Sequence, residues 1–225
     1  MVNPYVLIAT HQRLLITKKN IECILACGVN VILVVTDDGE YAAFRQMFPG
    51  ITVVQHSNKT LGSKWQTGVM SAKELQADPL IVNGSDDILC PKFYERIESS
   101  LSKGNHFIGL KSWYVYDLKR AYKFEYLASL PLGGGRAYSI EMLRTINYSL
   151  FDQSRDRCLD DLSYGNVLNS GLKYTILNEP LILSVKGGWP VMNPTQKIFV
   201  SQNAKLVDTI SNPKKLLETF NYVRD

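Results

Sequence analysis

Apolar residues in this chain fall either into short unbroken runs or into one-sided stripes, and the two kinds alternate. Residues 5–9, 31–35, 51–54 and 80–83 are short runs rich in Val, Ile and Leu, the pattern of strands buried on both faces. Between them the period changes. Ile21, Ile24 and Leu25 recur at helical spacing up to Gly28, and Trp65, Val69, Ala72 and Leu75 do so after the Leu61-Gly62 turn. A further stripe of Phe93, Ile97 and Leu101 follows Pro91, a residue suited to the first turn of a helix. Strands alternating with helices over the first hundred or so residues imply βαβ units, a mainly parallel sheet and right-handed crossovers.

The second half reads differently. Residues 106–118 and 122–130 are aromatic-rich and irregular, like the edge of a mixed sheet rather than another βα repeat. Gly133-Gly134-Gly135-Arg136 interrupts the chain before Ser139, which is placed to cap a helix carrying Ile140, Leu143 and Ile146. Asp160-Asp161 opens a helix over residues 162–168 that stops at Gly171, and residues 174–185 form one or two strands. Asn212-Pro213 starts a last helix that buries Leu216 and Phe220. The expected fold is α/β: a three-layer sandwich around a mainly parallel mixed central sheet. It is expected to form one domain over residues 1–225, with halves at 1–103 and 104–190 and a tail at 191–225.

Composition narrows the picture modestly. With 225 residues, 45% hydrophobic and 20% charged, the chain can build a sizeable core and is not of the disordered class. The net charge of +4 is compatible with anionic small ligands. Nucleic acid is not an expected partner, because no strong basic patch stands out, although a modified base as acceptor is not excluded. No apolar run approaches the roughly 18 residues of a membrane span, and no basic segment precedes an apolar one at the N-terminus. Cys23, Cys27, Cys90 and Cys158 fit neither a dense disulfide framework nor a paired zinc site. Free thiols and the missing leader together give a cytoplasmic expectation.

The candidate chemistry lies in three acidic pairs, Asp37/Asp38, Asp86/Asp87 and Asp160/Asp161, each at a predicted strand end or helix start. In open α/β sheets ligands collect beyond the carboxyl ends of the strands, where these acids sit. Hard divalent cations such as Mn²⁺ or Mg²⁺ take oxygen ligands and commonly share one or two carboxylates with a substrate's phosphates. The alternative for each pair is structural: Ser85 or Asp86 as a cap, Asp87 as a solvated turn, Asp37 or Asp38 as turn formers, and Asp161 as a helix-dipole acid.

The order of these features resembles the family 2 glycosyltransferases of the GT-A fold, over roughly residues 5–185. Residues 5–13, ending in Ala9-Thr10-His11-Gln12-Arg13, look like that family's first strand and nucleotide-facing loop. Thr36-Asp37-Asp38-Gly39 is similar to its second strand end, where an acid addresses the nucleobase or ribose. The Leu61-Gly62-Ser63-Lys64 turn resembles the start of the helix over the nucleotide, with Lys64 as a phosphate or ribose contact. Residues 82–89 align with the strand carrying the D-x-D element. Gly84 stands where the first Asp is, which leaves Asp86, next to Ser85 and Asp87, to hold the ion.

Gly133 to Ser139, including Gly134, Gly135 and Arg136, looks like the acceptor-side segment, and Leu159-Asp160-Asp161-Leu162 resembles the E-D motif with Asp160 in place of Glu. The resemblance implies transfer of a sugar from a nucleotide diphosphate sugar, a UDP-hexose, to a hydroxyl of a glycan or other acceptor. It implies inversion, with Asp161 as base and Asp86 and Asp87 on Mn²⁺ or Mg²⁺; residues 186–190, glycine-hinged and carrying Lys186 and Trp189, read on their own as a lid over the donor. No Q-x-x-R-W motif is present, which argues against a processive synthase. Two alternatives stand beside it. One is a sugar-phosphate nucleotidyltransferase, against which counts the lack of glycine in residues 10–13; the other is a non-catalytic α/β nucleotide-binding or regulatory module.

Overall fold

The structure is a computed structural model and describes residues 3–57, 59–117, 120–127, 130–186 and 204–222. The first half alternates as its periodicity predicts: β1 (Tyr5–Ala9), α1 (Leu14–Ala26), β2 (Asn30–Val35), α2 (Asp38–Met47), β3 (Thr52–Gln55), α3 (Leu61–Glu74), β4 (Leu80–Gly84), β5 (Asp87–Leu89) and α4 (Pro91–Ser102). The second half contributes β6 (Phe107–Leu110), β7 (Ser112–Tyr116), β8 (Ala121–Tyr126), β9 (Arg136–Tyr138), α5 (Ile140–Thr145), α6 (Leu159–Asn169), β10 (Tyr174–Leu177), β11 (Ile182–Val185), β12 (Ala204–Ile210) and α7 (Pro213–Thr219).

A seven-stranded sheet runs in the order β10-β6-β9-β4-β1-β2-β3. β1 is parallel to β2 and β4, β2 to β3, and β6 to β10, while β9 is antiparallel to both of its neighbours. Both faces are covered, which explains why the strands read as continuous apolar runs. Along β1, Val6 and Ile8 enter one buried cluster and Leu7 the other; along β2, Val31, Leu33 and Val35 alternate with Ile32 and Val34 in the same way. The first cluster also contains residues of α1, α2 and α4, and the second those of α3, α5 and α6. The result is the expected three-layer α/β sandwich with a mainly parallel mixed sheet.

Three expectations are corrected. The aromatic-rich stretch is not one sheet edge: β6 joins the main sheet, whereas β7 and β8 form a hairpin in a second, five-stranded sheet of order β12-β8-β7-β11-β5. Its aromatic residues pack on one another, with Trp113 stacked on Phe124 at 5.4 Å between centroids. The acidic turn after β2 continues into α2, which the sequence reading passes over. Leu25 is exposed, while Ile21 and Ile24 are buried as expected, with Cys23 beside them.

Candidate functional site

Two adjoining clefts open at the carboxyl ends of β1 and β4, of about 440 Å³ and about 560 Å³. The smaller is lined by the loop after β1 and by Lys64, Ser85 and Asp86. The larger is lined by Asn83, Asp87, Gly133, Gly134, Ser184 and Lys186 among others, and Gly84, Leu61, Trp65 and Asp156 belong to both.

Between the clefts stands Asp86, 7% exposed. Its Oδ1 lies 3.3 Å from Arg13 Nη1, and its Oδ2 2.6 Å from Lys186 Nζ. Arg13 Nη1 also lies 3.3 Å from Ser85 Oγ. Asp87 turns the other way and accepts a hydrogen bond from Ser184 Oγ, the residue paired with it across β5 and β11. A Cβ at Gly84 would collide with Asp87 Oδ2, and one at Gly134 would lie 2.8 Å from the same oxygen. The Asp87 carboxylate therefore fills the space that a side chain at position 84 would take, which gives the glycine at that position a steric reason. Burial pushes the Asp87 pKa up against the opposing pull of Lys186, and the neighbouring Asp86 pushes the same way as burial. For Lys186 burial pulls downward, but Asp87 and Asp86 outweigh it and hold the ammonium above the ordinary lysine range.

The ion expected at Asp86 and Asp87 meets this arrangement poorly. Both Asp86 oxygens already face a cation, and a divalent ion needs a set of free oxygen ligands at short distance. An ion there would have to displace Lys186 or Arg13. Among the described residues, one group of ionisable side chains converges closely enough to hold a metal: His11, Asp37 and Glu40, with ligand atoms within 4.8 Å of one another. Its acids are engaged by the backbone. Glu40 accepts from Gln12 N at 2.7 Å and Thr36 N at 3.2 Å, and Asp37 caps α2 by accepting from Glu40 N at 2.8 Å.

The remaining site residues separate into those that face the clefts and those that do not. Ala9, Thr10, His11, Arg13, Lys64, Ser85 and Asp86 come together around the smaller cleft. Lys64, however, is 1% exposed, and its ammonium is spent inside the protein on Thr10 O and, at 2.6 Å, on Thr36 Oγ1, tying the ends of β1 and β2 together. Burial lowers its pKa, against the raising effect of Glu40 and Asp37. Asp38 lies on the outside of α2 and accepts from Gln55 Nε2 at 2.7 Å.

Gly134 and Asp160 line the larger cleft, whereas exposed Asp161 lines neither. Gly135 holds a left-handed turn, with φ +71°. Arg136 is buried with its guanidinium aimed inward, donating to Leu132 O, Asp160 O and Ser163 Oγ at 2.6 Å each and to Pro131 O at 2.9 Å. It locks the glycine segment onto α6 rather than facing an acceptor. Trp189 and the rest of the expected lid, residues 187–190, lie outside the described residues.

Several cleft residues were not anticipated: Ser184, Asp156 and Arg157. Asp156 accepts from Leu61 N at 2.7 Å, and Arg155 O accepts from Gly62 N at 2.8 Å. A Cβ at Gly62 would overlap Asp152 O and lie 2.9 Å from Arg155 O, so glycine is what lets this segment seat on α3. The α3 start that was expected to lie over a nucleotide thus has its first donors satisfied by the protein itself. The charged Ser154-Arg155-Asp156-Arg157 run was the available signal.

Comparison with solved structures supplies the context. The chain is similar over 99% of its length, and 96% of the other's, to an inositol-1-phosphate CTP transferase from T. maritima, with TM-score 0.56 and 11% identity. It is similar over 97% of both chains to a CMP:2-keto-3-deoxy-manno-octonic acid synthetase complexed with CTP, with TM-score 0.51 and 15% identity. A 4-diphosphocytidyl-2C-methyl-D-erythritolsynthase from Anaerococcus prevotii matches over 78% of this chain and 86% of its own, with TM-score 0.51 and 11% identity. These proteins share this chain's fold. No family model matches the sequence, and no curated protein does.

The expectation of a hexosyltransferase that uses a UDP-sugar is overturned here, because two structures that match this chain nearly end to end are a CTP transferase and a CMP-sugar synthetase, not glycosyltransferases. The loop after β1 contains no glycine, as the sequence shows. Gln12 adopts φ 54°, so the loop makes its left-handed turn with a non-glycine residue and accepts the backbone strain. Among the described residues no helix is long and apolar enough to cross a membrane.

Proposed function

We propose that this chain is a nucleotidyltransferase that moves a nucleoside monophosphate from a nucleoside triphosphate, CTP first among them, to a phosphorylated polyol or sugar and releases pyrophosphate. What carries the reading is the near-complete two-way coverage with two proteins whose names specify CTP or CMP chemistry. The cleft chemistry agrees with it. Arg13, Lys186 and the exposed Arg157 border the clefts and supply positive charge for a triphosphate and a phosphate monoester.

In the reaction an oxygen of the acceptor's phosphate attacks the α-phosphorus and forms a new P–O bond. The bond from that phosphorus to the oxygen bridging to the β-phosphate breaks, and pyrophosphate leaves with the electron pair. A phosphate monoester has its second pKa near about 6 and is largely a dianion at neutral pH, so no general base is required. Arg13 and Lys186 are placed to offset the charge that grows on the departing pyrophosphate. The divalent ion expected at Asp86 and Asp87 has no step in this account. The test is pyrophosphate release from each of the four common nucleoside triphosphates, incubated with a panel of phosphorylated polyols and sugars. Release that needs both substrates is the expected result, and no release from any pair would reject the assignment.

A further inference from the structure

The corner at Asp86 is built to a pattern that the acidic pair alone does not explain. β11 pairs antiparallel with β5, Ser184 opposite Asp87. Two backbone hydrogen bonds then fix the chain beyond the ladder: Val185 N donates to Asp86 O at 2.9 Å and Lys186 N to Tyr116 O at 2.7 Å. Strand register thus delivers Lys186 over Asp86. Its ammonium sits 2.6 Å from Oδ2, and Arg13 sits 3.3 Å from Oδ1. Where an acidic pair would otherwise gather a divalent ion, this chain places two fixed cations around one buried carboxylate.

An ammonium has three donors, of which the described contacts use one, on Asp86. The Lys186 side chain keeps 18% of its surface exposed and borders the larger cleft, while Arg13 keeps 25% and borders the smaller. Each can therefore meet a phosphate without leaving Asp86, whose role is to hold the two cations in place. We infer that Lys186, seconded by Arg13, stands in for a divalent ion at the Asp86 corner and binds the triphosphate without one. This inference rests on the nucleotidyltransferase reading.

Two measurements on the full chain test it: calorimetric binding of CTP in EDTA and in Mg²⁺, and paramagnetic-resonance titration of the nucleotide-free protein with Mn²⁺. The expected result is CTP affinity in EDTA within about threefold of that in Mg²⁺, with loss of about tenfold or more in Lys186→Ala and most of the affinity kept in Lys186→Arg, where the charge is conserved. CTP binding only in the presence of Mg²⁺ would overturn the inference and leave the nucleotide reading standing. So would Mn²⁺ binding to the nucleotide-free wild type that disappears in Asp86→Asn, a result that does not depend on the folding of any Lys186 variant. Failure of every nucleoside triphosphate to bind under either condition would remove the nucleotide reading, and the inference with it.

Discussion

Asp87 and Asp161 illustrate how one residue type takes opposite duties. Asp87 is held against Gly84 and Gly134, bonded to Ser184, and has its pKa raised chiefly by burial. A raised folded-state pKa means that the folded protein binds this proton more tightly than the unfolded chain. The contribution of Asp87 to stability is therefore largest below the ordinary aspartate range and falls as the pH climbs from there toward the raised value. Asp87→Asn, which stays neutral throughout, should accordingly melt higher than wild type at neutral pH and lose that advantage on acidification. An advantage that grows toward acid would show the assigned direction to be wrong, and thermal melts across the acid range decide it. Asp161 stands exposed in the first turn of α6, where an acid complements the helix dipole. Asp161→Asn should cost about 0.3–1 kcal/mol of stability and leave nucleotidyl transfer nearly intact. A loss of turnover by orders of magnitude at unchanged affinity would restore it as a base.

At the level of elements, the apolar runs and helical stripes were enough to place β1 to β4, α1, α3 and α4; β3 is only half-buried, and the others bury a face that their own periodicity declares. α2 was missed for a physical reason. Its only buried positions are Glu40 and Phe44, and its sequence offers a turn-like Asp37-Asp38-Gly39 start in place of an apolar stripe. What makes it a helix is the cap: Asp37 accepts from Glu40 N, and Glu40 reaches back to Thr36 N and across to Gln12 N. Asp37→Ala should cost about 1 kcal/mol and loosen the Gln12 turn through Glu40. Urea melts report the first effect, and faster amide exchange at Gln12 reports the second; unchanged exchange there would mean that α2 does not brace the loop. The five-stranded sheet was equally hidden. Its strands come from four separated stretches of the chain, and pairing at such a distance leaves no periodic trace in any one of them.

For the molecule as a whole, the sequence made legible which residues gather at the candidate site but not the contacts that they make there. Arg13, Ser85, Asp86, Asp87 and Lys186 were all singled out from turn chemistry and order along the chain, and the structure brings them together. That Asp86 faces two cations, and that Lys64 and Arg136 spend their charges inside the protein, depends on strand register and burial that only the folded chain reveals. Glycosyl and nucleotidyl transfer both call for a nucleotide beside acids at strand ends, so motif order alone could not separate them, and the proposed nucleotidyl transfer follows the fold matches instead. The two reactions differ in the bond that breaks, and that difference gives the most direct test. CTP labelled with ³²P at the α-phosphate and, in parallel, at the γ-phosphate is to be incubated with the protein and a panel of phosphorylated polyols and sugars. The account predicts α-label in a new cytidine diphosphate ester and γ-label in pyrophosphate alone. Label remaining in CTP under all conditions, or transfer of γ-label to the acceptor, would contradict it.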